Sequence, residues 1–203
     1  MLKKWFKEYF EINKREILII ICLLIIGIIV GFGTYIFASN ELKDTAVLSI
    51  KEVFDISKSE SYIKTNIMLN GITAHLVLII VICLLSLTLF GKWIIYGIII
   101  LKGMAISIYS ILLFNVFGPL WGIVAFILLV VLVNMLYIPA FMYLIVCFLE
   151  VNFNIFKTKF NNINIAAIYK VLIIMLLSFV VMFSSVVVEQ IASNIVLNIY
   201  TKM

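Results

Sequence analysis

The chain has 203 residues, of which 66% are hydrophobic and 12% charged, with a formal net charge of +5 and a mean hydropathy of +1.28. A soluble domain of that composition would precipitate, and the longest polar stretch, residues 39–70, is too short for an independent enzyme domain with its own core. The positive balance does not indicate nucleic-acid binding, because the lysines are distributed by topology rather than gathered into a patch.

Residues 1–16 read as a basic interfacial segment. Leu2, Trp5, Phe6, Tyr9 and Phe10 recur at helical spacing among Lys3, Lys4, Lys7 and Lys14. Such a helix would lie on an anionic inner leaflet, each lysine contributing about 1 kcal/mol. A plain basic flank that sets orientation is the alternative. The first apolar run, 17–38, is longer than the roughly 7–15 residues of a signal-peptide core and ends at Ile36-Phe37-Ala38, a poor cleavage site, so it is expected to stay as an anchor.

Residues 39–70 carry charges of both signs around Val47, Leu48, Ile50, Val53, Phe54 and Ile56, the pattern of an amphipathic helix. Further apolar runs follow at 71–90, 93–114, 121–147 and 171–188. A bilayer core about 30 Å thick needs about 20 apolar residues per helical crossing, so all five runs qualify. Gly91-Lys92 leaves almost no loop between the second and third runs, and a hairpin that tight needs the freedom of glycine. Asn115-Val116-Phe117-Gly118-Pro119 reads as an uncharged reversal at the outer face. Pro139 inside the fourth run predicts a kink or break.

Five crossings place Lys3, Lys4, Lys7, Lys14, Arg15, Lys92, Lys157, Lys159 and Lys170 on one side against four acids. The other side holds Lys43, Lys51, Lys58, Lys64 and Lys202 against six acids. The positive-inside rule then puts the N-terminus in the cytoplasm and the C-terminus outside. The expected fold is all-α: one polytopic integral membrane domain with about five transmembrane helices.

Few residues in this chain carry chemistry. Lys102 lies within the third run, where a cation costs at least about 2.5–3.5 kcal/mol and should face a partner or water. Asn134 is its candidate partner on depth; alternatively the helix breaks at Gly103 and leaves Lys102 near an interface. His75, the only histidine, and Glu189-Gln190 sit at the outer ends of the second and fifth runs. Glu189 would pair within the bundle or mark the water boundary. Cys22, Cys83 and Cys147 lie in apolar runs with no metal-ligand spacing. Phosphate loops, His-Glu-x-x-His and nucleophile elbows are missing, so neither a cofactor nor catalysis is expected.

The order of elements resembles the stage II sporulation protein M family of spore-forming bacteria. The resemblance rests on the basic N-terminus, the polar segment after the first run, Leu101-Lys102-Gly103 followed by Met104, Ala105 and Ser107, Asn134-Met135-Leu136-Tyr137-Ile138-Pro139-Ala140-Phe141, and Ser184-Ser185 ahead of Glu189. More distant relatives carry an acidic residue two places before that proline, where this chain has Tyr137, so a role resting on that carboxylate does not carry over. The resemblance implies a non-enzymatic scaffold on the mother-cell side of the sporulation septum, gathering the peptidoglycan-remodelling stage II sporulation proteins D and P for engulfment. Lys102, Gly103, Asn134, Pro139 and Glu189 would be its packing and docking positions, with residues 39–70 the contact with partner ectodomains. The rival reading is a small transporter or transporter subunit with a site near Lys102 and Pro139.

Overall fold

The computed structural model describes residues 13–57, 61–86, 88, 90–157 and 165–200. The interfacial segment expected over 1–16 falls almost wholly outside them. Among the described residues there are helices and turns and no strand. In chain order the helices are α1 (Lys14–Phe37), α2 (Asn40–Ser57), α3 (Ser61–Ser86), α4 (Gly91–Phe126), a π-helical stretch (Ile127–Leu132), α5 (Val133–Lys157) and α6 (Ile165–Tyr200). Three helical segments are long and apolar enough to cross a membrane: Lys14–Phe37, Gly91–Leu149 and Leu176–Tyr200. Gly71–Leu85 is a shorter apolar stretch. Helices suit such sequences because each satisfies its own backbone polar groups where water is excluded. Their outward side chains agree: Ile29 is 65% exposed, Leu176 66% and Met135 76%, a surface that hydrocarbon solvates and water does not.

Short polar residues end and start the helices. Ser39 separates α1 from α2, its hydroxyl accepting the Leu42 backbone N–H at 3.4 Å while Glu41 lies in the first turn. Between α3 and α4, the Thr88 hydroxyl donates to the Leu85 carbonyl at 2.8 Å and the Gly91 N–H to the Thr88 carbonyl at 3.1 Å. A Cβ on Gly91 would collide with the Leu85 carbonyl oxygen, so this turn closes only around glycine.

The direction of α4 changes at Gly118. Its backbone has φ 72° and ψ 179°, and Pro119 follows. The rings of Phe114 and Phe126 stand 5.9 Å apart, whereas twelve residues of straight helix would separate them by about 18 Å. Gly122 likewise packs against Phe114 across the bend. The chain therefore folds back here, as the Gly118-Pro119 pair suggested, and the long apolar segment Gly91–Leu149 is a hairpin. A Cβ at Gly118 would meet no neighbour within 4 Å, so the cost of a side chain there is purely conformational. Gly118→Ala is expected to lower stability by about 1–3 kcal/mol, read as a fall in Tm in detergent; an unchanged Tm would rule out a strained reversal.

Pro139 does not break its helix. α5 continues through it, and the departure from α-helical geometry lies upstream, at Ile127–Leu132. Pro139 and Met135, whose carbonyl has no N–H to accept from it, both lie on the outward face, so the ring and the freed carbonyl point away from the packed interior.

The most extensive helix contact joins α1 to α4. At one end the Glu16 carboxylate accepts from Lys92 Nζ at 3.2 Å and from the Tyr96 hydroxyl at 2.9 Å. At the other, Asn115 Nδ2 donates to the Tyr35 hydroxyl at 2.8 Å. Between them Gly27 and Gly31 meet Ile100, Gly103, Met104 and Ser107. The pairing rises in step along both helices, so α1 and α4 run parallel. Parallel neighbours need a return leg between them, which α3 provides.

Packing divides the interior into two apolar clusters. The first joins Ile17 and Ile20 of α1, Ile79 and Ile82 of α3, Ile95 and Ile99 of α4, Tyr137 to Leu149 of α5, and Met182 of α6. The second joins Phe54 of α2, Leu113 and Phe117 of α4, Leu129 and Val130, and Ala192 and Val196 of α6.

Candidate functional site: a polar layer between two apolar clusters

The polar residues of the interior stand where the helices pass from one cluster to the other. On α4, Lys102 and Tyr109 lie between Ile99 and Leu113. On α5, Asn134 and Tyr137 follow Val130 and precede Ala140. On α6, Ser185 and Glu189 separate Met182 from Ala192. His75 sits one helical turn before Ile79 on α3.

Lys102 is half-buried, and α4 remains helical through Leu101-Lys102-Gly103. The break that would have moved Lys102 to an interface does not occur, because Gly103 is needed as a packing surface within the helix. The ammonium stands 4.3 Å from the centroid of the Tyr137 ring. A desolvated cation over an aromatic face gains about 2 kcal/mol, comparable to the cost of placing a lysine in a membrane helix. Two more rings stand against Tyr137: the His75 ring lies 4.9 Å away, and Phe141 stacks on it at 5.4 Å with a 21° tilt.

Lys102 and Glu189 attract each other across the α4–α6 boundary without ion-pair contact. The same two charges reach the remaining members: Lys102 acts on His75, and Glu189 on Tyr109. Glu189 itself is exposed at the bundle surface. The sequence-based candidates therefore separate. Lys102 and Glu189 act on each other only through their fields. Asn134 does not partner Lys102; its amide donates to its own helix, to the Val130 carbonyl at 2.8 Å, because a short amide in a helix reaches the carbonyl four residues back more readily than a neighbouring helix. Pro139 is outward-facing and Gly103 belongs to the α1–α4 seam.

That seam is built from backbone. A Cβ on Gly27 would collide with the Ile100 carbonyl oxygen, and one on Gly103 with the Leu24 carbonyl oxygen. A Cβ on Gly31 would strike the Ser107 hydroxyl and come within 2.8 Å of the Met104 Cα. Small residues spaced four apart on both helices bring the chains close enough for dispersion to hold them, which matters where lipid offers no hydrophobic drive. Gly27-x-x-x-Gly31 and Gly103-x-x-x-Ser107 are both readable in the sequence; only Gly103 was expected to pack.

A second group of side chains fixes α2. Phe54, 7% exposed, meets Phe117 edge-on at 5.2 Å and Tyr200 at 5.8 Å, while Phe117 and Tyr200 are 5.5 Å apart. Three helices thus converge on one aromatic clamp. Lys43 stands over the Tyr35 ring at 5.6 Å and donates to the Ile36 carbonyl at 3.1 Å, holding the other end of α2 on α1. The side chains of Glu41, Asp44, Leu48 and Glu52 are left outward.

Among the described residues, no three metal-ligating side chains come together. Comparison of the chain with protein-family models, curated proteins and solved structures gives no match.

Proposed function

We propose that the chain is a five-crossing membrane scaffold, N-terminus cytoplasmic and C-terminus outside, which holds peptidoglycan-remodelling enzymes at the sporulation septum. The resemblance to the stage II sporulation protein M family supplies the biological context: engulfment, the mother-cell side, and stage II sporulation proteins D and P as partners. The parallel run of α1 and α4 supports the crossing order, since α3 must return the chain between them. The hairpin at Gly118 supports two crossings within Gly91–Leu149.

The observation that carries the scaffold reading is the aromatic clamp on α2. A helix of mixed charge is pinned to the apolar bundle by Phe54, with its charged side turned away. That arrangement would present to another protein an outward face on which Glu41, Asp44 and Glu52 stand beside exposed Leu42, Leu48 and Val53. Phe54→Ala is expected to release α2 by removing about 3 kcal/mol of buried contact, seen as faster proteolysis within Asn40–Ser57 while the rest of the bundle keeps its Tm.

Crosslinked affinity purification of the tagged protein from sporulating cells tests the function directly. Membrane-anchored peptidoglycan hydrolases should be recovered with the wild type and depleted with Phe54→Ala. Recovery of an ATPase or a solute-binding protein without hydrolases would overturn the scaffold. It would turn attention to transport, which the polar layer around Lys102 favours as the second reading.

A further inference from the structure

The groups that meet in the polar layer share an unusual property. Lys102 and His75 both stand against the Tyr137 ring, yet among the described residues none of the three has a protein hydrogen-bond partner. The Tyr137 hydroxyl is the sharpest case. Its residue is 2% exposed, and the oxygen is fully covered and unpaired. An ammonium offers three donors, and a phenol one donor and two acceptor sites. Buried polar groups that protein does not satisfy are satisfied by water, each buried molecule making about three hydrogen bonds. Donors and acceptors of complementary kind are gathered here, on α4 and α5, between the two apolar clusters.

We infer that this layer is an internal hydration site, in which trapped water bridges the Lys102 ammonium and the Tyr137 hydroxyl. The cation–π contact occupies only one side of the ammonium, which leaves donors free for water. The apolar clusters close the layer along the bundle axis. The water is held rather than exchanged with bulk solvent. Tyr137 is its reporter and Phe141, one helical turn away and 1% exposed, its dry control.

Hydroxyl-radical footprinting of the full chain in lipid nanodiscs separates the possibilities without any substitution. X-ray radiolysis makes radicals from every water, bound ones included; photolysis of peroxide makes them in the bulk. Tyr137 should be oxidised about tenfold faster than Phe141 under radiolysis, since only the former has water beside it, and no faster than Phe141 under bulk photolysis. Equal protection of the two residues under radiolysis would mean a dry layer and overturn the inference. Oxidation of Tyr137 by bulk radicals would mean an open aqueous path, which also overturns it.

Discussion

Gly27→Leu and Gly103→Val should each cost about 3 kcal/mol or more of bundle stability, the upper end of overpacking effects, measured by denaturant titration in mixed micelles. The reason is that the atoms met by the new side chain are backbone. The Ile100 carbonyl and the Leu24 carbonyl belong to rigid helices and cannot rotate aside as a side-chain end would. Relief requires moving α1 away from α4 along their whole length, which would also stretch the Glu16–Lys92 and Tyr35–Asn115 contacts at the two ends. The chain supplies its own controls. A Cβ at Gly33 or at Gly97 meets nothing within 4 Å, although these glycines lie on the same two helices. Gly33→Ala and Gly97→Ala should therefore stay within about 0.5 kcal/mol of wild type. Equal losses at Gly33 and Gly103 would show that glycine matters here for flexibility and not for approach.

Lys102→Glu is expected to destabilise the bundle by about 3 kcal/mol, because it sets a second carboxylate near Glu189 and removes the cation from the Tyr137 ring. The loss stays at the low end because Glu189 is exposed and part of its field is screened. The exchange Lys102→Glu/Glu189→Lys should recover roughly half of the loss, restoring opposite charges but leaving a carboxylate against the electron-rich ring face. A full recovery would assign the whole effect to the charge pair; no recovery would mean that Lys102 and Glu189 act independently. The comparison also bears on the functional readings. A scaffold loses stability and partner binding together. A transporter with its site at Lys102 would lose transport even in variants that remain folded.

Some of this architecture is legible residue by residue. The apolar runs announce membrane-crossing helices because hydrocarbon demands about 20 residues of self-satisfied backbone. The amphipathic pattern around Phe54 marks a helix over α2, and Gly118-Pro119 marks a reversal, since both follow from local periodicity and backbone freedom. Gly91 is equally local. Lys102 and Glu189 stand out as charges in apolar surroundings. Their relation does not, because the residues lie on different helices and depth along the chain ranks Asn134 just as highly as a partner.

Pro139 illustrates the opposite failure. A proline in a helical run predicts a kink, yet the irregularity falls at Ile127–Leu132, before it, and the helix carries the ring on its outer face. The His75 ring lies 4.9 Å from that of Tyr137, tilted by 33°, a contact between α3 and α5 that its place in the sequence does not announce. Tyr137 carries no sequence signal as a cation acceptor, since an aromatic in an apolar run is an ordinary event.

The sequence by itself determined the class of molecule: a helical chain with helices long and apolar enough to cross a membrane and with few charges inside its apolar runs. Hydropathy and turn chemistry are properties of consecutive residues, so they need no partner to act. The tertiary structure decided which glycines touch, that α1 lies parallel to α4, and that Lys102, Tyr137, His75 and Glu189 share one layer. Those outcomes depend on how helices distant in sequence dock, and in lipid docking is chosen by steric fit and polar pairing between surfaces that composition alone does not match.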